Sequence, residues 1–447
     1  MMRIYNSYKD KVEDFKTIHK NQVNMYVCGP TVYNYIHIGN ARPVVFFDTV
    51  RRFFESKGYK VKFVSNFTDV DDKIIKKAIE EKLDEMEVAN HYIDAFLNDI
   101  EGLNCLTDYI KPRVTNYMPH IKNFIQELVE KNYAYEINGD VYFKVESLPE
   151  YGRLSNRQIA DLKSGARIDI NLDKDSPLDF TLWKKTTEGL NFESPFSKGR
   201  PGWHTECVAM IDDIFGEKID IHGGGSDLKF PHHENEIAQS MALYNHRLAN
   251  YWMHNGRLSI KDSKMSKSIG NVILVKDVKD KMPLRYFLLS THYRSPLNYD
   301  EEGFQMYVKE FEKLESTMKQ LYRLLDLRDE LEIVEIKDKE ILGVMKAFDE
   351  AMEDDFNTAN AITALQSLLK IMNVSIRKKK FSHYYNELNQ AVQYMVNILG
   401  LKVDLQAMSQ EDKTMYHEWE NARKNKNFEL ADQLRTKLTE RGILWYN

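Results

Sequence analysis

His37 and Gly39 stand in one short run, His37-Ile38-Gly39-Asn40-Ala41-Arg42, placed after a Gly29-Pro30-Thr31 turn and at the start of a helical pattern. Such a junction offers backbone N–H groups without intrahelical partners and the positive end of a helix dipole, a setting that attracts phosphate. Gly39 lets a purine or ribose approach the backbone closely, and His37 can donate to a phosphate oxygen as charge builds up. A second run, Asp262-Ser263-Lys264-Met265-Ser266-Lys267-Ser268-Ile269-Gly270-Asn271, is polar, ends in glycine and carries two lysines. Lysine suits a leaving pyrophosphate because it is a mobile point charge whose attraction grows as negative charge develops. The two runs together predict a nucleotide site.

A further set of residues has the chemistry of a metal site. Cys207 closes Gly202-Trp203-His204-Thr205-Glu206-Cys207, and Phe230-Pro231-His232-His233-Glu234-Asn235-Glu236 follows it. His232 and Glu236 are four apart, so on a helix they share a face. Pro231 and the acidic residues behind it favour that helix. Thiolate, imidazole and carboxylate are the ligands zinc uses, and the first two point to zinc over magnesium. Cys28 precedes His37 at the end of a predicted strand and is placed to reach the same ion. The expected ligands are therefore Cys28, Cys207, His232 and Glu236. His233 is one residue off the Glu236 face, which favours His232; the alternative for His222, His232 and His233 alike is a place as ordinary pocket histidines. The alternative for the two cysteines is a place as small core residues. A closed four-ligand site is normally structural, but Cys28 beside the nucleotide run ties this one to chemistry, with Glu236 the ligand able to give way.

These residues need elements to hold them. Val23-Asn24-Met25-Tyr26-Val27 predicts a strand ending at Cys28, His37 through Phe54 a helix, and 60–65 the next strand. Strand, helix, strand begins a parallel α/β sheet, whose ligands bind outside the carboxyl ends of the strands. Residues 72–132 read as helices. Residues 133–200 break into short strands, Gly139 to Val145 among them, and read as an insertion. The α/β pattern resumes after it, so the expected organisation is a parallel α/β domain over 1–132 and 201–256. A connecting region over 257–304 carries the second lysine run. Long amphipathic segments follow, predicting a helical domain over 305–401 and a short closing segment over 402–447.

Bulk properties narrow the field. The chain has 447 residues, room for roughly three domains. A net charge of −6 means that any nucleic-acid surface must be a local patch. No apolar run approaches the ~20 residues that span a bilayer, and the first residues show no apolar h-region. Three widely spaced cysteines fit a reducing cytoplasm better than a disulfide framework.

The two nucleotide runs resemble the signatures of class I aminoacyl-tRNA synthetases, with Asn40 where the first signature usually ends in His. That resemblance implies a Rossmann-like catalytic domain and in-line attack of an amino-acid carboxylate on the α-phosphate of Mg-ATP. It makes His37, Lys264 and Lys267 the catalytic groups, with Gly39, Asn40, Ser266 and Ser268 completing the ATP site. Five further stretches narrow the resemblance to the cysteinyl-tRNA synthetase family. They are 28–40, Asn66-Phe-Thr-Asp-Val-Asp-Asp-Lys73, 199–207, 220–236 and Asp354-Asp-Phe-Asn-Thr358. The family implies L-cysteine, ATP and tRNA-Cys as partners and one zinc ion that binds the substrate sulfur, with Trp203 closing over the bound cysteine. Thr68 and Asp227 would line its pocket, Asp227 holding the ammonium. It also implies that 305–400 binds the anticodon stem and that 422–435 forms a C-terminal hairpin. Arg377-Lys-Lys-Lys380 with Phe381, His383, Tyr384 and Tyr385 is a basic, aromatic patch suited to phosphates and exposed bases. A monomer is expected. Competing expectations are a cysteine ligase acting on a small aminosugar and a non-catalytic zinc-stabilised RNA-binding protein.

Overall fold

Four parallel strands in the order β10-β9-β3-β4 form the sheet that carries the candidate site: β3 (Gln22–Val27), β4 (Lys60–Ser65), β9 (Ile219–Gly225) and β10 (Ala249–Asn255). This computed structural model describes residues 2–158, 174–216, 218–260, 263–264, 272–378 and 382–443. Two units divide the chain, Met1–Asp300 with Glu353–Phe356, and Glu301–Met352 with Asn357–Asn447.

In the first unit the central strands are buried on both faces, as a parallel sheet between helices requires; Val23 through Val27 are all buried. Helix α1 (Ile38–Ser56) crosses from β3 to β4 and buries Val45, Phe46, Phe47, Val50, Phe53 and Phe54 against the sheet. Gly223 makes that contact close: a Cβ there would lie 2.1 Å from the Phe47 ring. The helix begins one residue later than the sequence pattern suggests, because His37 is its N-cap. Beneath α1, the buried Asp48 carboxylate takes hydrogen bonds from Arg285, from Arg52 Nε (2.8 Å) and from the Leu106 N–H (2.7 Å).

After β4 come α2 (Asp72–Glu81), α3 (Glu85–Gly102) and α4 (Met118–Glu130). An antiparallel sheet of β5 (Ala134–Ile137), β6 (Asp140–Phe143), β7 (Phe180–Lys185) and β8 (Gly199–Pro201) then interrupts the parallel pattern. Its last strand hands the chain through Trp203 and His204 to α5 (Glu206–Phe215), whose second residue is Cys207. Helix α6 (Glu234–Tyr244) links β9 to β10. A small sheet follows, with β11 (Leu258–Ile260) flanked by β12 (Ser263–Lys264) and β13 (Leu297–Tyr299), and α7 (Lys281–Leu289) lies between the last two in sequence.

The second unit is helical: α8 (Glu301–Asp326), α9 (Lys339–Glu353), α10 (Thr358–Lys378), α11 (Ser382–Leu399) and the hairpin α12 (Gln410–Lys424) and α13 (Phe428–Glu440). The extended stretch 330–338 is held by side chains of α11: Asn386 Nδ2 donates to the Glu330 carbonyl (2.7 Å), and the Val334 N–H donates to Gln390 Oε1 (2.6 Å). The aromatic patch expected near residue 380 needs correction. Tyr385 is 3% exposed and its hydroxyl donates to the Ser375 carbonyl (3.2 Å), because the helical period places it with Leu388 and Val392 in the core. Lys379, Lys380 and Phe381 lie outside the described residues.

Candidate active site and metal centre

Cys28 just after β3, Cys207 at the start of α5, His232 in the π-helical turn Lys229–His233 and Glu236 in the first turn of α6 come together, one side-chain donor atom from each within 4.8 Å of the others. Cys28 Sγ lies 3.8 Å from Cys207 Sγ and 3.8 Å from Glu236 Oε1. His232 Nε2 lies 3.8 Å from Cys207 Sγ and 3.1 Å from Glu236 Oε1. A tetrahedral zinc with Zn–S about 2.3 Å and Zn–N about 2.0–2.1 Å sets its sulfurs about 3.8 Å apart and sulfur from nitrogen about 3.6 Å. The arrangement and the donor types both fit that ion. A second group, Cys28, His222, His233 and Glu236, is equally close. It has only one sulfur: His222 Nε2 meets Glu236 Oε2 (2.7 Å) and His233 Nε2 meets Cys28 Sγ (3.3 Å), while their Nδ1 atoms meet the Tyr26 carbonyl (3.2 Å) and His254 Nε2 (2.8 Å). The set with two thiols suits zinc better.

The hydrogen bond from Cys28 holds the Cys207 thiol down to about 6, against burial, while burial pushes Cys28 well up. Burial also raises Glu236, but His222 and His232 together pull it well below the usual carboxylate range. Around the ligands sits a layer that sequence spacing did not reveal. His232 Nδ1 meets His204 Nδ1 at 3.1 Å, the Trp203 ring stacks on His232 with centroids 4.2 Å apart, and Gln239 Nε2 donates to the His204 carbonyl (2.7 Å). Trp203 is 40% exposed, at the mouth of this layer. Thr68 is buried and donates to Glu206 Oε2 (2.8 Å), whereas Asp227 is exposed beyond the end of β9.

The first nucleotide run takes a definite form. His37 Nδ1 accepts the Asn40 N–H (3.1 Å), and Asn40 Oδ1 accepts the His37 N–H (3.3 Å), a reciprocal cap. Asn40 thereby fills the third position of the helix with a side chain suited to that cap. With Nδ1 accepting, a neutral His37 ring carries its proton on Nε2 and is a donor there. A Cβ at Gly39 would sit 3.0 Å from His37 Nδ1, so glycine lets the ring fold over the helix end.

Described residues on either side of the second run are bonded to the first. Arg42, buried on α1, donates from Nη1 to the Gly256 carbonyl (2.7 Å) and from Nη2 to the His292 carbonyl (3.2 Å). Burial without a carboxylate partner among the described residues brings its pKa down to about 10. Downstream, the Ile38 N–H donates to the Ile273 carbonyl (3.0 Å) and the Val275 N–H to the Ile36 carbonyl (3.0 Å). Lys264 is placed by its backbone in β12, opposite Ser259. Ser266, Lys267 and Ser268 lie outside the described residues.

This fold and site define the class. A profile described as "tRNA synthetases class I (C) catalytic domain" matches residues 14–309, and one described as "DALR domain" matches 347–404. Methionyl-tRNA synthetase of Mycobacterium tuberculosis, solved with methionyl-adenylate, shares the fold, with a TM-score of 0.61 at 14% identity over 85% of this chain and 89% of that one. Cysteine–tRNA ligase of Bacillus cereus strain B4264 is 48% identical over 99% of this chain and 97% of its own length, and that of Bacillus cytotoxicus is 47% identical over the same shares. The chain belongs to the cysteine–tRNA ligase family, and it is an enzyme of the aminoacyl-tRNA synthetase class.

Proposed function

We propose that this protein activates L-cysteine with Mg-ATP and transfers the cysteinyl group to the 3' end of tRNA-Cys, as a monomeric enzyme of the cytoplasm. The carrying observation is the place of Cys28: it ends β3, contributes to the Cys207, His232 and Glu236 cluster, and precedes the His37 cap in sequence. A metal site so close to a nucleotide site is a device for choosing a substrate. Zinc held by the four residues would take the substrate sulfur as a thiolate ligand, which a serine hydroxyl replaces poorly. Sites that demand one polar group reach about 10⁴–10⁵ discrimination without editing.

The chain's own groups divide the remaining work. Trp203 shuts the thiol end from water, and Thr68 and Asp227 orient the amino acid so that its carboxylate reaches the α-phosphate. His37 Nε2–H, with the helix N-terminus behind it, stabilises charge on the phosphate oxygens, and Gly39 and Asn40 shape that end. Lys264 and Lys267, with Ser266 and Ser268, hold the departing pyrophosphate. No covalent enzyme nucleophile is required; positioning and charge stabilisation suffice. Three free cysteines and the absence, among the described residues, of any helix long and apolar enough to cross a membrane support the cytoplasmic reading.

Amino-acid-dependent exchange of pyrophosphate into ATP, run across all twenty amino acids with zinc analysis of the same sample and tRNA-Cys charging, tests the reading. Exchange with cysteine alone, one zinc per chain and charged tRNA are expected. Exchange without tRNA charging, but with transfer to an aminosugar, would overturn it.

A further inference from the structure

Glu206 and Cys207 are consecutive, but they leave the start of α5 in different directions. Cys207 turns to the metal cluster. Glu206 turns to Thr68, whose hydroxyl donates to Glu206 Oε2 at 2.8 Å. Both side chains are buried, Glu206 at 2% exposure and Thr68 at 2%. Burial holds the Glu206 carboxyl well above its ordinary range, and among the described residues its one side-chain hydrogen bond is the one Oε2 accepts from Thr68, a residue of the cysteine pocket.

Thr68 is fixed on its other sides as well. Its N–H donates to the Pro30 carbonyl (3.2 Å), and its carbonyl accepts the Val32 N–H (3.1 Å). That pairing lies on the stretch joining Cys28 to His37, between the metal end and the nucleotide end of the site. Asn66 completes the frame: its Oδ1 accepts the Gly29 N–H (2.9 Å) and lies 3.8 Å from Cys207 Sγ, while its Nδ2 donates to Thr68 Oγ1 (3.3 Å). A hydroxyl has one proton and two acceptor positions. Glu206 takes the proton of Thr68 and Asn66 occupies one lone pair. What remains for a substrate is a single acceptor, the complement of an ammonium group.

We infer that Glu206 is a positioning residue for cysteine recognition, fixing the Thr68 hydroxyl as a hydrogen-bond acceptor for the substrate ammonium. The inference rests on the reading that Thr68 lines the cysteine pocket. Without Glu206 the hydroxyl is free to rotate and can present its proton to the ammonium instead.

Pyrophosphate exchange with the zinc-loaded full chain tests this, comparing Glu206→Ala, Glu206→Gln, Thr68→Val and the double variant Glu206→Ala/Thr68→Val. Loss of one such hydrogen bond predicts a cysteine KM about tenfold higher for Glu206→Ala, with ATP KM and bound zinc as in the parent. Glu206→Gln keeps an acceptor oxygen and should restore the cysteine KM. The double variant should be no worse than Thr68→Val, because Glu206 acts through that hydroxyl alone. Competitive inhibition by 3-mercaptopropionate, which has the thiol and carboxylate of cysteine but no ammonium, should be the same in Glu206→Ala and the parent. Additive losses in the double variant would overturn the proposal, as would zinc loss in Glu206→Ala or inhibition weakened in step with cysteine. If Glu206→Ala does not fold, Glu206→Asp, which withdraws the carboxylate by one methylene, takes its place in every comparison. A parent protein without cysteine-dependent exchange would refute the proposed function itself, which is a different result.

Discussion

His204 should govern how tightly the metal site holds its ion, although it is not a ligand. His232 presents Nε2 to the cluster and Nδ1 to His204 Nδ1 at 3.1 Å. Burial lowers the His204 pKa to about 3, so this ring stays neutral and can accept the His232 Nδ1–H. Metal-binding histidines depend on such an acceptor for ring orientation and basicity. Replacing His204 by Leu fills much of the same space but leaves a donor without a partner on a residue that is 1% exposed. An unsatisfied buried donor costs about 1–3 kcal/mol. That agrees with the roughly 10–100-fold loss of affinity that follows removal of a ligand's outer partner. The assay is equilibrium competition for zinc against a chromophoric chelator, with His204→Asn beside His204→Leu. The Leu variant should bind zinc about 10–100-fold more weakly, and Asn, which restores an acceptor, should recover part of the loss. An unchanged zinc affinity in His204→Leu would refute the reasoning and make the His204–His232 contact mere packing.

Two further outcomes follow from buried cations. Arg42→Met should lower the melting temperature and raise the ATP KM more than the cysteine KM, because it strips the donor from the Gly256 and His292 carbonyls beside the nucleotide runs; equal changes in both constants would contradict this. Asp48→Asn leaves Arg285 without its counter-charge, a loss of about 3–5 kcal/mol at neutral pH. Burial raises the Asp48 carboxyl, but Arg285, Arg52 and the Leu106 N–H hold it below its ordinary value. Its stabilisation is therefore complete above an unfolded pKa of about 3.9 and is lost as pH falls through the lower folded value. Acid unfolding curves should show that loss in the parent below about pH 4 and a flatter limb in Asp48→Asn; superimposable curves would refute it.

The sheet and the clustering of Cys28, Cys207, His232 and Glu236 were legible in the sequence where local chemistry spoke for itself. The alternating strand pattern at Val23–Val27, the turn after Cys28 and the Gly39 helix start define a parallel unit, and the four-residue step from His232 to Glu236 brings their side chains together although His232 sits in the turn before α6. The supporting layer was not legible. The contact of Glu206 with Thr68 spans 138 positions and that of Arg42 with Gly256 spans 214, and no spacing rule joins residues so far apart. His204 and Glu206 lie inside the very run that contains Cys207, but only the tertiary contacts with His232 and with Thr68 give them work. Tyr385 misled for the opposite reason: a basic run beside aromatics suggests a surface, while the helical period sends that ring inward.

The clamp that unites the two nucleotide runs has a consequence for transplanting them. On the downstream side each partner is main chain: the carbonyls of Gly256, Ile273 and His292 and the N–H of Val275. The hydrogen bonds of the joint use no side chain at those positions, although Val275 itself is buried in the core. A chimera that exchanges residues 257–275 for the equivalent stretch of another synthetase can therefore keep its seat on α1, provided the backbone path, Arg42 and apolar residues at the buried positions Leu258 and Val275 are kept. The joint is indifferent to the cargo it positions, and that leaves the lysine run open to tuning without rebuilding the sheet beneath it.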